Sequence, residues 1–211
     1  MKISRFFAVA GLVAAGTAMA GGGGYSSTLF TFEGGTGNQV FRSAAGVPTL
    51  NTVAGVAPAG APWGITSFDA VIRKNGDIRA AGEGVLLWGA DGLGSRAGPR
   101  QLIISLFCRG APVAPAITGA LILTPFNSEP FDLNVDGDFV LRGKLTDATG
   151  ATPPLTCGDD GDNRPILLIR SVTAANPTTG TPATPAAWFA AGLLAGKHRN
   201  GHGGKGDWDR Y

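Results

Sequence analysis

Strict alternation is the feature that most constrains this chain. From Ile65 to Arg73, the residues Ile65, Ser67, Asp69, Val71 and Arg73 alternate with Thr66, Phe68, Ala70 and Ile72. Period two sends successive side chains to opposite faces of a strand. Asn75-Gly76 follows after Lys74. That dipeptide is a strong hairpin signal, because a two-residue return turn needs φ > 0 at both centres. The return strand is predicted from about Asp77 to Gly89, with Gly82 and Gly84 at bulge positions.

The same grammar recurs along the chain. Leu29–Phe32 and Gln39–Leu50 read as strands separated by Gly34-Gly35-Thr36-Gly37, and 51–62 reads as an Ala/Gly/Pro loop. Asp91-Gly92 marks another turn. Gln101–Cys108 (QLIISLFC), Ile117–Thr124 and Ile166–Val172 are apolar runs fit for buried strands. Phe131, Leu133 and Val135 alternate with Asp132 and Asn134 ahead of Asp136-Gly137. Phe139, Leu141, Gly143 and Leu145 then share one face. Residues 147–164 read as a polar loop, 174–186 as irregular, and Trp188–Leu194 as a last core strand. The chain holds 34 glycines, as many short strands with many turns require. No long amphipathic helix interrupts them, so the fold class is all-β: an antiparallel β-sandwich or barrel-like domain.

The ends read differently. Lys2 and Arg5 precede the short apolar run Phe6–Ala15, and Ala18-Met19-Ala20 is a small-x-small cleavage site. This is the pattern of a cleavable signal helix over residues 1–20. The run is too short to span a bilayer, so no stable membrane span is expected after cleavage. Residues 21–28 (GGGGYSST) form a flexible lead-in, 29–196 the β domain, and 197–211 a disordered, Gly-rich basic tail. The expected location is secreted or periplasmic.

Charge narrows the partners. Removing Lys2 and Arg5 leaves a mature chain without net side-chain charge. Its tail holds Lys197, Arg199, Lys205 and Arg210 against Asp207 and Asp209, a net of +2, which leaves the body 21–196 at −2. The body has no basic footprint of the kind nucleic-acid binding requires, so no nucleic-acid partner is expected. Tail residues Trp208 and Tyr211, among those cations, could touch anionic envelope polymers.

Chemistry is read mainly from what the body lacks. The two histidines, His198 and His202, both lie in the tail. A Ser–His–acid or Cys–His site needs a rigidly held imidazole, and a zinc centre usually needs His or several Cys. Cys108 and Cys157 are the only cysteines. In an exported chain they are read as a disulfide closing a loop of roughly 50 residues, worth about 4 kcal/mol by loop entropy. A catalytic thiol or a metal pair is the alternative. Carboxylates remain: Glu33, Asp69, Glu83, Glu129 and several Asp, of which two would have to flank a cleft about 5–10 Å apart in a glycosidase.

Asp132, Asn134, Asp136 and Asp138 fit the first seven places of a calcium loop, D-x-N-x-D-G-x. The twelfth place, where such a loop puts a bidentate Glu, is Gly143. A hairpin turn through Asp136-Gly137 is the competing reading. Asp159, Asp160, Asp162 and Asn163 form a second acidic turn. No other cofactor is implied. Trp63 and Trp88 are expected in the core or at its rim rather than as ligand platforms.

Several short motifs stand together between about residues 50 and 192. They are Pro62-Trp63-Gly64-Ile65, Gly82-Glu83-Gly84, Leu106-Phe107-Cys108, Gly137-Asp138-Phe139, Cys157, Pro165-Ile166-Leu167-Leu168-Ile169-Arg170 and Trp188-Phe189-Ala190. In these the chain resembles a group of small secreted bacterial proteins of uncharacterised function with a two-cysteine β domain. The resemblance implies export, a β domain and the disulfide, and carries no catalytic residue. The functional expectation is a secreted, non-enzymatic β domain with a binding or structural role toward an envelope or extracellular ligand. The alternative is an extracellular carbohydrate-active enzyme using an Asp/Glu pair.

Overall fold

The computed structural model describes residues 27–38, 41–42, 48–49, 51–89, 91–96, 101–108, 124–158, 164–173 and 184–195. The signal segment 1–20, the lead-in up to residue 26, most of Gln39–Leu50, the run 117–123, the acidic turn 159–163 and the tail lie outside them. Within the described residues the chain is all-β and contains no helix.

Thirteen strands follow in order. They are β1 (Thr28–Gly37), β2 (Phe41–Arg42), β3 (Pro48–Thr49), β4 (Trp63–Gly64), β5 (Ser67–Arg73), β6 (Asp77–Glu83), β7 (Leu86–Leu87), β8 (Gln101–Phe107), β9 (Pro125–Asn127), β10 (Phe131–Asp132), β11 (Phe139–Lys144), β12 (Ile166–Thr173) and β13 (Thr184–Leu194). The main sheet runs β10-β8-β12-β13-β1-β5-β6-β11, with β9 also on β8, and every pairing in it is antiparallel. Its two ends come back together. Asn127, at the end of β9, bridges Thr146, just past β11, through N–H···O bonds of 2.7 and 3.0 Å. Phe131 and Phe139 pack across the same seam with ring centroids 4.7 Å apart. The result is a nearly closed barrel, which leaves few free strand edges.

Alternation fills the interior. Phe32, Phe68, Ala70, Ile72, Ile78, Ala80, Leu102, Ile104, Leu106, Phe139, Leu141, Leu167, Ile169 and Ala190 join one buried cluster. Their intervening neighbours on β5, β6 and β11 point outward.

The β5–β6 hairpin departs from the two-residue turn that Asn75-Gly76 suggested. Gly76 N–H donates to Arg73 O (2.9 Å), and Gly76 has φ 85 while Asn75 does not take positive φ. This is a three-residue loop closed by a glycine bulge. The physical reason lies in the register. The observed pairing sets Ile72 opposite Ile78, Ala70 opposite Ala80 and Phe68 opposite Gly82. A one-residue slip would have put apolar residues opposite the charged set, which burial of one face forbids.

Pro125 opens the short strand β9. Two further expectations are corrected. β13 already begins at Thr184, inside the stretch read as irregular. Val135 does not continue the alternation of Phe131 and Leu133, because it sits in a turn and is 71% exposed.

The wall is not uniform around its circumference. Along β8 and β12 both faces are buried. Outside the barrel, Phe107, Leu168 and Trp188 form a second cluster against Val53, Ala54 and Val56. Residues 57–59 run beside β13: Ala59 N–H donates to Trp188 O (2.9 Å) and Trp188 N–H to Ala57 O (3.1 Å). The indole N–H of Trp188 reaches Asn51 O at 3.0 Å. Buried Asn38 pins the same segment, accepting from Trp63 N–H and donating to Ala59 O at 3.0 Å. Arg170 lies buried here as well, donating from Nε to Ala186 O (3.0 Å), and burial holds its guanidinium below its usual basicity. Among the described residues, no segment covers the outer faces of β5, β6 and β11.

Cys108 and Cys157 are joined in a disulfide with Cα atoms 4.9 Å apart. It ties the exit of β8 to the turn at 155–158, and Cys157 is part of the interior cluster. Closing a loop over a sequence separation of 49 restricts the unfolded chain strongly. Replacing both cysteines with alanine should lower unfolding stability by about 2–4 kcal/mol. Urea unfolding of oxidised, reduced and double-alanine protein checks this. The reduced and alanine forms should unfold together, well below the oxidised form.

Candidate functional site

The bare side of the barrel carries a groove of about 480 Å³, within the usual size range of small-molecule sites. It runs across the outer faces of β5, β6 and β11. Ser67 and Asp69 line it from β5, Arg79, Ala81 and Glu83 from β6, and Val140 and Arg142 from β11. Asp132, at the end of β10, and Asn134 and Asp138, in the turn that follows, line one end of it.

Sheet register arranges the charges. Glu33 on β1 stands directly opposite Asp69 on β5. Asp69 pairs with Ala81, so Glu83 is its diagonal neighbour on β6, at about 7–8 Å between backbones. Arg79 stands directly opposite Arg142. Both direct pairs are like-charged, an arrangement that costs free energy in a sheet. The Asp69 carboxyl is accordingly pushed above the ordinary aspartate range, first by partial burial, then by Glu33 and Glu83. Opposite charges meet as well: Lys144 on β11 stands directly opposite Asp77 on β6, and Arg79 is a diagonal neighbour of Asp69 just as Glu83 is. Arg79 and Glu83 lie four residues apart on β6, about 13 Å.

Three residues of the calcium motif, Asn134, Asp136 and Asp138, share one turn, while Asp132 ends β10 opposite Gln101, and the turn uses much of their capacity. Asn134 Oδ1, which would be a cation ligand, accepts from Asp136 N–H (2.9 Å) and Asp138 N–H (2.8 Å). Asp138 Oδ1 accepts from Gly84 N–H at 3.0 Å. Gly137 takes φ 83, and its N–H donates to Asn134 O (3.3 Å), so the hairpin geometry of the β5–β6 loop is repeated here. Among the described residues, no three or more His, Cys, Asp and Glu side chains gather to hold a metal ion.

Other sequence candidates separate in space. Glu129 is exposed and does not line the groove. Trp63 is buried, edge-on to Phe189 with ring centroids 4.4 Å apart. Trp88 is 60% exposed and lies over Gly64, where any Cβ would collide with the indole. The acidic residues 159, 160, 162 and the histidines fall outside the described residues. Sequence reading missed Arg79 and Arg142 as site residues. Their outward placement was visible in the alternation, but their opposition needed the register.

No known protein family, curated protein or solved structure matches this chain. The resemblance drawn from short motifs therefore stands on those motifs alone. What the structure states of it is a two-cysteine disulfide within a β domain.

Two outcomes follow from these contacts. Asn134→Ala removes two acceptor bonds from the β10–β11 turn and should cost about 1–2 kcal/mol in urea unfolding. Asp69→Asn should act through pH. A carboxyl raised in the folded state penalises its ionised form, so the native protein loses stability as pH climbs from 3.8 through the raised value. The asparagine variant should thus melt higher than the parent at pH 7 and level with it at pH 3. An equal melting difference at both values would show that charge is not the cause. Asp147 has the opposite sign: hydrogen bonds from Thr149, Ala151 and Gly150 pull its carboxyl below the ordinary range.

Proposed function

We propose that this chain is an exported, non-enzymatic β domain that binds a ligand of the envelope or extracellular space in the groove on β5, β6 and β11. The observation that carries the reading is the groove itself. It is concave, lies across strands whose outward positions are exposed or half-buried, and gathers carboxylates, guanidiniums and the apolar Ala81 and Val140. A few convergent polar groups around an apolar floor are the usual make-up of a recognition site.

Export is supported by residues 1–20 and by a disulfide, which persists in oxidising compartments. No helix among the described residues is long and apolar enough to cross a membrane.

A second reading keeps the groove and adds catalysis. Asp69, with its raised carboxyl, neighbours Glu83. Two carboxyls flanking a cleft are what glycoside hydrolysis uses, one to donate a proton and one to assist attack at the sugar carbon.

Calorimetry of the mature protein, residues 21–211, against soluble oligosaccharides and short peptides separates these readings. At least one ligand class should bind, and Ala81→Trp, which fills the groove floor, should abolish that binding at unchanged melting temperature. Binding that survives Ala81→Trp overturns the assignment of the groove. Glycoside turnover that disappears in both Asp69→Asn and Glu83→Gln would replace the binding reading with the enzymatic one.

A further inference from the structure

Asn75-Gly76 is a reactive dipeptide as well as a turn signal. Glycine has no side chain to shield the backbone nitrogen beside it. In an open chain that nitrogen gives its proton to a solvent base and attacks Cγ of the asparagine. A nitrogen–carbon bond forms, the Cγ–Nδ2 bond breaks, and the amide nitrogen leaves with a proton as ammonia. Water then opens the cyclic imide at either carbonyl. The product is aspartate, or isoaspartate with the backbone rerouted through the side chain.

The β5–β6 loop holds both reacting groups apart. Asn75 is exposed, so solvent reaches its amide, whereas Gly76 is buried. The Gly76 N–H donates to Arg73 O at 2.9 Å, so the proton that must leave is already engaged. The Gly76 carbonyl accepts from Leu145 N–H at 2.9 Å, which ties the residue to the end of β11. Thr152 closes its remaining side: a Cβ on Gly76 would lie 2.8 Å from the Thr152 methyl. The Asn75 amide is directed past Gly76 to Asp77. Its Oδ1 accepts from Asp77 N–H (3.1 Å), and its Nδ2 donates to Asp77 Oδ2 (2.8 Å). Thr152 is itself held by a tight loop, in which Asp147 Oδ1 accepts from Thr149 N–H (2.8 Å) and Ala151 N–H (2.9 Å).

We propose that Asn75-Gly76 is a deamidation site gated by the fold. It is shut while the loop at 147–152 sits on Gly76, and it reacts when this end of the hairpin opens. Conversion then runs at the open-chain rate multiplied by the fraction of molecules open.

The product would not leave the hairpin as it was. Deamidation replaces the amide that donates to Asp77 with a second carboxylate beside it. Isoaspartate also lengthens the backbone, in a loop whose residue count sets the register of β5 against β6. The change is one-way, and it falls on the two strands that carry the groove.

The test ages the disulfide-bonded mature protein, residues 21–211, in mildly alkaline buffer beside the same protein in urea. Peptide mapping by mass spectrometry follows conversion at Asn75. The folded protein should convert at least about tenfold more slowly than the unfolded one. Equal rates overturn the proposal. Thr152→Gly, which uncovers Gly76, should speed conversion severalfold in the folded protein and leave the rate in urea unchanged. Cys108→Ala/Cys157→Ala separates local from global opening, since it lowers stability without touching this loop. Kept below its melting transition, it should convert Asn75 at the parent rate. If Thr152→Gly has no effect, or if conversion in the two variants simply follows their loss of stability, the loop is not the gate and the proposal fails.

Discussion

A sheet that curls back on itself has a fixed interior, and everything else in this protein answers to filling it. Each strand must send alternate residues inward, and those residues must match the ones across from them. The β5–β6 hairpin shows how strongly this acts. Asn75-Gly76 could have formed a two-residue turn. The pairing of Ile72 with Ile78 and Phe68 with Gly82 demands one residue more, and the loop supplies it. Small residues complete the fit. Gly82 lies against Phe139, and Gly192 against Phe68 and Phe32, so the aromatic rings occupy space that a Cβ would have taken.

Much of this was legible beforehand. Period-two alternation identified β5, β6 and β11, continuous apolar runs identified β8 and β12, and the cysteine pair was joined as export chemistry suggests. The short motifs were legible only as fragments, yet they meet in pairs. Leu106-Phe107 lies beside Ile166-Leu167, Gly82 opposite Phe139, Asp138 on Gly84, and Trp63 on Phe189.

What could not be read has a common cause. The cover over Trp188 comes from residues 51–59, a segment with loop composition and no period. The start of β13 hides in Thr184-Pro185-Ala186, where nothing alternates. The calcium motif and the hairpin turn use the same residue types, because Asn and Asp serve both cations and backbone N–H groups. The opposition of Arg79 and Arg142 depends on the pairing of β6 with β11, two strands far apart in sequence whose register no local motif announces. Local sequence names the faces of strands. Only closure of the sheet says who faces whom.

The unequal wall has a consequence for how such a chain could diversify. Along β8 and β12 every outward side chain also serves packing, so change there disturbs the scaffold. On β5, β6 and β11 no described segment packs on the outward side chains. Asp69, Arg79 and Val140 can be exchanged while the residues between them keep the interior intact. Mutational drift can therefore rewrite the recognition surface without renegotiating the architecture, and descendants of one scaffold would differ first, and most, along that strip.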